Sequence, residues 1–212
     1  MQNKPIVMLG AGGHAKVLLS LLQQQGITVA AVCAPQRPAS ARFDSIPFLT
    51  SDDDVLRFKP QDVMLVNGIG ALPGQTVRRR LFEHFSALGY SFFSVIASSA
   101  VVDSGAQIGQ GVQVLPGAII NTDAILHANV LINSGAIIEH DCVLHPHTVV
   151  SPGAVLCGGV TCGDNSYIGA GATVIQSQII GANALVGAGS TVVCNLLDNQ
   201  KIYSARPFIK AE

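Results

Sequence analysis

The sequence is poor in aromatic and charged residues. Its 212 residues contain no tryptophan, and only 5% are aromatic and 12% charged, with a formal net charge of −1. No basic run exceeds Arg78-Arg79-Arg80. Nucleic-acid-binding surfaces need clustered positive charge and often use aromatic rings for stacking. The composition therefore argues against nucleic acid as a partner.

Long apolar runs are also missing, although the mean hydropathy is +0.44. Every stretch of about 18 residues is interrupted by glycine or polar side chains, so we expect no membrane-spanning helix and no membrane partner. The N-terminus, MQNKP, leads directly into an apolar segment and lacks the pattern of a signal peptide. These features predict a cytoplasmic protein.

The cysteines form no recognisable framework. They are five in number, an odd count, and no two are spaced as CxxC. Scattered cysteines of this kind are typical of reduced, mostly packed thiols in a cytosolic protein. Their positions are Cys33, Cys142, Cys157, Cys162 and Cys194.

A period of six residues dominates the chain from Ile96 to Leu197. Stepping by six from Ile96 gives seventeen positions, of which sixteen are aliphatic and one is Cys162. From Ile96 to Val186, a small or short side chain follows four residues after each anchor, with Gln178 as the long exception. Such a period is typical of a parallel β-helix, in which each hexad supplies one short strand and one corner. A helix would need a spacing of 3.6 residues. Single hexads cannot bury their own apolar face, so the coils must stack.

Residues 1–95 alternate between apolar runs and amphipathic segments. This alternation predicts a small parallel sheet with helices, an α/β domain of Rossmann-like type. We therefore divide the chain into residues 1–95, 96–197 and a tail, 198–212, that is expected to fold back over the last coil. The predicted strands are 5–9, 27–33, 62–67 and 90–95, and the predicted helices are 15–25, 52–58 and 76–88.

A glycine-rich loop stands between the first strand and the first helix. Residues 10–15, GAGGHA, fit the pattern G-x-G-x-x-A, which lets the backbone approach a phosphate at a helix N-terminus. No acid ends the second strand at 33–35, which argues against NAD and leaves another nucleotide or a purely structural turn. A second turn, Gly68-Ile69-Gly70, follows the third strand at the same edge of the sheet.

The densest group of titratable residues is Glu139-His140-Asp141. Imidazole is suited to accept a proton near neutral pH, and a neighbouring carboxylate orients it and raises its basicity. With three hexads in a coil, Thr122 should lie below His140 and Gly158 above it. The glycine would leave a shallow open groove beside the imidazole. An inert surface histidine is the alternative.

These motifs resemble the bacterial sugar O- and N-acyltransferases, which include sialic acid O-acetyltransferases and UDP-4-amino-sugar N-acetyltransferases. The resemblance is carried by the loop at 10–14, by the segment 133–141 (NSGAIIEHD) and by the uninterrupted hexads. It implies a small Rossmann-like nucleotide-sugar domain joined to a left-handed β-helix. It also implies a homotrimer that binds acetyl-CoA along the prism between subunits, uses no metal and serves surface-glycan synthesis.

The resemblance further implies roles for individual residues. His140 would be the general base that deprotonates the sugar amine or hydroxyl, and Asp141 would enhance its basicity. Asn133 and Glu139 match polar active-site positions. The nucleotide sugar would be held by Gly12, Gly13, His14 and Gly68. The coenzyme arm would be met by Gly158, by Ala170 and, near the acyl group, by Val149.

Three positions depart from the family pattern. Many members carry a second histidine where this chain has Val149, and here His147 lies two residues earlier. Members that use UDP-sugars often have acids at the end of the second strand, where this chain has Cys33-Ala34. The family's terminal G-x-P-A is replaced by SARP at 204–207.

The leading hypothesis is acetyl transfer from acetyl-CoA to the amino group of a UDP-linked 4-amino-sugar. O-acetylation of a sialic acid or related sugar is a close alternative. A different class is a zinc lyase of the γ-carbonic-anhydrase type, with ligands from His140 and His145 and a third from His127 or His147. A further class is a non-catalytic sugar-nucleotide sensor.

Overall fold

The computed structural model describes residues 4–204, which fall into two compact units. The first unit runs to Ser98 and also includes Gly109–Gln113, and the second comprises Ser99–Ile108 and the chain from Val114 onward. A short piece of the hexad region thus groups with the α/β unit. The domain limits at 95 and 197 remain predictions.

The first unit is a parallel four-stranded sheet with helices, which confirms the predicted α/β domain. The sheet order is β3-β2-β1-β4, and all its pairs are parallel. All four residues of the inner strand β1 are buried, as expected for a parallel sheet covered on both faces. The elements in chain order are β1 (Ile6–Leu9), α1 (Gly13–Gln24), β2 (Val29–Cys33), a 3₁₀ turn (Ala41–Phe43), β3 (Phe48–Leu49), α2 (Asp52–Val55), β4 (Met64–Asn67), α3 (Val77–Ala87) and β5 (Val95–Ile96).

The prediction of a regular strand over residues 90–95 is wrong. The contact of this segment with the sheet is a single parallel bridge between Leu65 and Phe92, and β5 begins only at Val95. Aromatic packing decides the path here, because the ring of Phe92 lies 4.5 Å from that of Phe82. The hydroxyl of Tyr90 donates to the carbonyl of Phe58 at 2.6 Å. Strand β3, only two residues long, was too short for the sequence pattern to indicate.

The second unit is a left-handed parallel β-helix, as predicted. Residue Ile138 pairs with Ile120 below and Leu156 above, so one coil takes 18 residues, or three hexads. Face 1 consists of β6 (Val101–Val102), β9 (Ile119–Ile120), β12 (Ile137–Ile138), β15 (Val155–Leu156), β18 (Thr173–Val174) and β21 (Thr191–Val192). Face 2 consists of β7 (Gln107–Ile108), β10 (Ile125–Leu126), β13 (Val143–Leu144), β16 (Thr161–Cys162) and β19 (Ile179–Ile180). Face 3 of this unit consists of β11 (Leu131–Ile132), β14 (Val149–Val150), β17 (Tyr167–Ile168), β20 (Leu185–Val186) and β22 (Lys201–Ile202), and β8 (Gln113–Val114) spans the limit between the units.

The interior of the prism follows the hexad pattern. The anchors from Val114 to Val192 are fully buried, and so are the small residues at the corners, such as Ala118, Ala136 and Ala154. A corner leaves room only for a short side chain, whereas the middle of each face takes a branched aliphatic one. The chain turns most corners through a residue with φ between 55° and 73°, usually glycine, asparagine or aspartate.

The tail does not fold back over the last coil within the described residues, contrary to expectation. Leu196 forms a parallel bridge with Ile180, and β22 pairs in parallel with β20. Lys201 lies opposite Leu185, a separation of 16 residues instead of 18, so the segment extends the prism by a shortened coil. Residues 205–212, including most of the SARP motif, lie outside the described residues. Across residues 4–204, no helix has the length and apolarity to cross a membrane.

Candidate active site

His140 and Asp141 form a hydrogen-bonded pair at the vertex between faces 1 and 2. Anchor Ile138 points into the core, and the chain then turns outward, so that the side chains of His140 and Asp141 face solvent. The Nδ1 atom of His140 lies 2.7 Å from Oδ2 of Asp141. The side chains are 59% and 64% exposed, so a ligand can reach them. Asp141 sits at φ 60°, a left-handed conformation that aspartate tolerates and that aims its carboxylate back at the ring.

This pair has the electrostatics of a general base and its orienting group. The hydrogen bond to Asp141 raises the pKa of His140, and the negative charges of Asp141 and Glu139 act in the same direction. A carboxylate only accepts hydrogen bonds, so Nδ1 carries the proton in the neutral ring. The Nε2 atom is then left with a free lone pair, as a proton acceptor requires.

Gly158 provides the space in which the imidazole lies. A Cβ at this position would be 2.6 Å from both Cε1 and Nε2 of His140. The backbone ladder at this vertex joins the N–H of Asp141 to the carbonyl of Thr122, and the N–H of Gly159 to the carbonyl of His140. The expected placement of Thr122 below the histidine and Gly158 above it is confirmed.

The other predicted residues of the prism are spread over several vertices. Glu139 stands beside His140 and accepts a 2.7 Å hydrogen bond from Asn121. Asn133 begins the corner between faces 3 and 1 and donates to the carbonyl of Val150. One face of the prism therefore separates it from His140 within the chain. Ala170 is exposed at that same corner of a higher coil, whereas Val149 lies on face 3 and is only 7% exposed.

The remaining histidines of the prism occupy the vertex between faces 2 and 3. The rings of His127 and His145 stack with centroids 5.2 Å apart, and Nδ1 of His147 lies 2.9 Å from the amide of Asn129. Strand β13 separates this vertex from His140. The ligand set of the zinc alternative is therefore not assembled within one chain, and no group of three or more potential metal ligands occurs within residues 4–204.

The glycine loop of the first unit borders a cavity of about 280 Å³. Four of its lining residues are the predicted Gly12, Gly13, His14 and Gly68, which the structure brings together. Gly12 caps α1, and both loop glycines leave open space where a Cβ would stand. A Cβ on Gly68 would lie 2.9 Å from the carbonyl oxygen of Leu9, so only glycine allows the ends of β1 and β4 to approach so closely.

A second cavity, of about 260 Å³, lies at the carboxyl ends of β1 and β2. This edge is where open α/β sheets bind ligands. Its lining includes Cys33–Pro35, which the sequence placed at this edge, and Thr50, Ser51, Asp52 and Arg80, which it did not. The local signal for the latter group was the capping box of α2, formed by Ser51 and Asp54.

Three further polar side chains, not singled out from the sequence, are buried around His14. They are Asn67, Arg78 and Gln113, with exposed fractions of 1%, 5% and 0%. The Nε2 atom of His14 lies 2.7 Å from Oε1 of Gln113. Burial, with a smaller contribution from the positive charge of Arg78, lowers the pKa of His14 to about 4. The sequence did not predict the burial of these residues. Arg78 belongs to a run of three arginines, and Gln113 occupies a hexad position that normally faces outward.

Comparison with known proteins identifies relatives over nearly the whole chain. Residues 5–85 match the family described as the PglD N-terminal domain. The structure of PerB from Caulobacter crescentus, in complex with CoA and GDP-perosamine, is 34% identical and aligns over 98% of this chain and 97% of that one, with a TM-score of 0.85. A histidine-to-alanine mutant of GDP-perosamine N-acetyl transferase from the same organism, with the same ligands, is 33% identical over the same shares, with a TM-score of 0.86.

A third solved structure gives the same result. The acetyltransferase domain of PglB from Neisseria gonorrhoeae, in complex with acetyl coenzyme A, is 28% identical and aligns over 97% of this chain and 100% of that one, with a TM-score of 0.87. A search of functionally curated proteins gave no significant match. The full-length similarity confirms the resemblance drawn from the glycine loop, the 133–141 segment and the hexads. The chain belongs to the hexapeptide-repeat family of sugar acyltransferases and is a CoA-dependent acyltransferase.

Proposed function

We propose that the protein transfers the acetyl group of acetyl-CoA to the amino group of a UDP-linked 4-amino-sugar in surface-glycan synthesis, with His140 as general base. The observation that carries this proposal is the hydrogen bond between Nδ1 of His140 and Asp141, which leaves Nε2 as an exposed acceptor. Acetyl-CoA and nucleotide sugars are cytoplasmic metabolites, which supports a cytoplasmic location for the reaction.

The proposed chemistry uses the histidine twice. The neutral sugar amine attacks the thioester carbonyl carbon and forms the new C–N bond while Nε2 of His140 takes its proton. Collapse of the tetrahedral intermediate breaks the C–S bond, and the imidazolium returns the proton to the departing CoA sulfur. Asp141 stabilises the transient positive charge on the ring. Holding both substrates beside one vertex supplies much of the rate enhancement.

The nucleotide sugar is assigned to the cavities of the first unit. Helix α1 has twelve residues, and its N-terminus opens at the glycine loop with free backbone N–H groups. Gly12 and Gly13 carry no side chain that would hold a phosphate away from these groups. The adjoining cavity at the ends of β1 and β2 has a mainly apolar lining with a few polar side chains, Thr50, Ser51, Asp52 and Arg80, that are available to hydrogen-bond a nucleoside. Gly68 and His14 border the loop cavity.

GDP is a second candidate for the nucleotide carrier. Two relatives more than 30% identical were solved with GDP-perosamine. The chain also lacks an acid at Cys33-Ala34 but lines the same cavity with the carboxylate of Asp52. Guanine offers adjacent N–H donors to a carboxylate, which uracil does not. Measuring kcat/KM for matched UDP- and GDP-linked 4-amino-sugars, with free sialic acid as a third acceptor, separates the three possibilities.

The proposal includes a homotrimer with acetyl-CoA bound between subunits. Outward-facing aliphatic residues flank the His140 vertex on both sides, with Ile119, Ile137 and Val155 on face 1 and Ile125 and Val143 on face 2. These side chains are half-buried in the single chain, and packing against neighbouring copies would remove them from water. The intersubunit groove is assigned to the coenzyme arm, with Gly158, Ala170 and Val149 as its predicted contacts, and Asn133 and Glu139 as predicted acceptor contacts.

The decisive variant is His140→Gln. Loss of the general base is expected to reduce kcat by about 10²- to 10⁴-fold while acetyl-CoA still binds. His127→Ala, which removes an exposed histidine from another vertex, is the matched control and should retain kcat. Full turnover by His140→Gln would show that another group takes the proton.

A further inference from the structure

The polar cluster around His14 is a buried hydrogen-bond network inside the first unit, in which Arg78 is bound through Nη1 while its Nε and Nη2 atoms find no partner among the described residues. Nη1 of Arg78 donates to the carbonyl of Ile69 at 3.0 Å, and to the carbonyl of Asn67 and Oε1 of Gln113 at 3.2 Å each. The side chain of Asn67 donates in turn to the carbonyl of Arg78. Arg78 is buried and makes no ion pair with a carboxylate within residues 4–204. A buried cation is costly, so its retention calls for a specific role.

The network fixes the orientation of the Gln113 amide from both ends. A guanidinium only donates hydrogen bonds, so the atom 3.2 Å from Nη1 of Arg78 must be the oxygen, Oε1. A backbone carbonyl only accepts, so the atom 2.8 Å from the oxygen of Asn67 must be the amide nitrogen, Nε2. The two constraints agree, and they leave Oε1 as the group that faces the imidazole.

This orientation decides which ring nitrogen of His14 carries the proton. Nε2 lies 2.7 Å from Oε1 of Gln113, and two acceptors cannot share a hydrogen bond, so Nε2 must carry hydrogen. The ring is also kept from gaining a second proton, because burial and the positive charge of Arg78 lower its pKa to about 4. His14 is therefore a neutral Nε2–H imidazole near neutral pH. Its Nδ1 atom has no hydrogen-bond partner among the described residues and belongs to a side chain that lines the glycine-loop cavity.

We propose that Arg78 and Gln113 are positioning residues that lock His14 in the Nε2–H form, so that Nδ1 presents a hydrogen-bond acceptor to the bound nucleotide sugar. This inference rests on the proposed function, since it names the group with which the acceptor substrate must meet His14. A bare Nδ1 repels a phosphate oxygen and accepts from a hydroxyl or amino group. The phosphates therefore belong at the N–H groups of the loop, and a hydroxyl or amino group of the ribose or sugar belongs at His14.

The first test reads the tautomer directly and needs no substrate. Long-range ¹H–¹⁵N spectra of protein labelled on histidine, with the His14 signals assigned through a His14→Gln variant, report both ring nitrogens. We expect a protonated Nε2 and an unprotonated Nδ1, unchanged between about pH 5.5 and 8. A proton on Nδ1, or a ring that titrates in this interval, would overturn the proposal.

The second test changes the protonation of His14 with the variant Gln113→Glu. A carboxylate beside His14 favours the imidazolium, so Nδ1 becomes a donor near neutral pH and should give a protonated signal. The KM for the nucleotide sugar is expected to rise about tenfold, with kcat and the KM for acetyl-CoA little changed. The difference should shrink as the pH rises and the ring loses its second proton. A purely structural role would not produce that recovery.

Gln107→Glu is the matched control, because Gln107 occupies the same hexad position one hexad earlier but is exposed. It should leave the KM at every pH as in the wild type. Should no nucleotide sugar be acetylated at all, the proposed function fails, whereas the spectra still decide the tautomer. An unchanged KM in Gln113→Glu, in a protein whose Nδ1 has gained a proton, would overturn the assigned contact with substrate.

Discussion

The imidazole of His140 lies directly against the α-carbon of Gly158, one coil further along the prism. A side chain at Gly158 would meet Cε1 and Nε2 of the ring at 2.6 Å, closer than any real contact of this kind. The glycine is not needed for its backbone conformation, because its φ lies outside the left-handed region. The absence of a side chain at Gly158 leaves room for the His140 ring. A substitution at this position is therefore expected to affect activity and not folding.

Gly158→Ala should therefore lower activity without unfolding the protein. The added methyl group displaces the flexible His140 ring from its position against residue 158, and we expect kcat to fall about tenfold or more. The melting temperature should change little, since the ring is exposed and can swing away. Steady-state kinetics and thermal denaturation of the same preparation check both halves.

Gly153→Ala provides the opposite control. Gly153 has φ 67° with open space around it, so alanine meets no atom but adopts a strained backbone. We expect a loss of about 1–2 kcal/mol in the free energy of unfolding and an unchanged kcat. Equal effects of the two substitutions on kcat would contradict the specific role of Gly158.

Asp141→Asn should shift the pH dependence of the reaction. The carboxylate raises the pKa of His140, and the proposed base would work only in its neutral form, so activity is expected to decline as the pH falls through that pKa. Removing the charge lowers the pKa and moves the acidic limb of the kcat/KM profile to lower pH. We also expect the plateau to drop by about tenfold or more, because the imidazolium formed in the reaction is no longer stabilised.

Asp123→Asn is the control for this experiment. Asp123 occupies the same corner one coil earlier, with φ 57°, and asparagine tolerates that conformation as it does at Asp141. Its pH profile should superimpose on that of the wild type. An Asp141→Asn profile that also superimposes would show that the carboxylate does not tune the base.

Stability should decrease in mild acid because of His14. Its pKa is about 4 in the folded protein and near 6.5 in the unfolded chain, so the unfolded state binds more protons between these values. The free energy of unfolding therefore falls as the pH drops from 6.5 toward 4, by about 3 kcal/mol in all from this residue. Urea denaturation at pH 7 and pH 4.5, at one protein concentration, should show a smaller decrease in His14→Gln. Parallel pH dependences in the two proteins would be inconsistent with the buried neutral ring.

Ile137→Asp should disrupt the proposed trimer. Ile137 stands in the aliphatic stripe of face 1 beside the His140 vertex, and a charge there would be buried at the interface without a partner. Analytical ultracentrifugation is expected to show trimers for the wild type and smaller species for the variant. Leu185→Asp, at the same hexad position on face 3, should remain trimeric. A monomeric wild type would remove the intersubunit groove from the proposal.

Much of the second unit could be predicted because its order is local and repeated. The six-residue period determined the coil, the inward anchors and the stacking of Thr122, His140 and Gly158, since one register runs through the whole stretch. The shortened last coil escaped prediction because it departs from the period: Lys201 pairs with Leu185 at a separation that no preceding hexad indicates. The segment 90–95 failed for a similar reason, since packing of Phe92 on Phe82 outweighed its strand-like pattern.

The sequence by itself determined the parallel β-helix, the parallel α/β unit and the histidine–carboxylate pair, because each depends on residues that are adjacent or related by a fixed spacing, whereas the left hand of the coil followed from the family resemblance. Only the tertiary structure decided that Arg78 and Gln113 meet His14, and that Asn133 stands one face away from His140. Arg78 and Gln113 are polar residues far apart in the chain, and their burial follows from the packing of separate elements into one core. No local sequence pattern predicts the contact of Arg78 and Gln113 with His14. The protonation and orientation of His14 could therefore be inferred only from the folded protein.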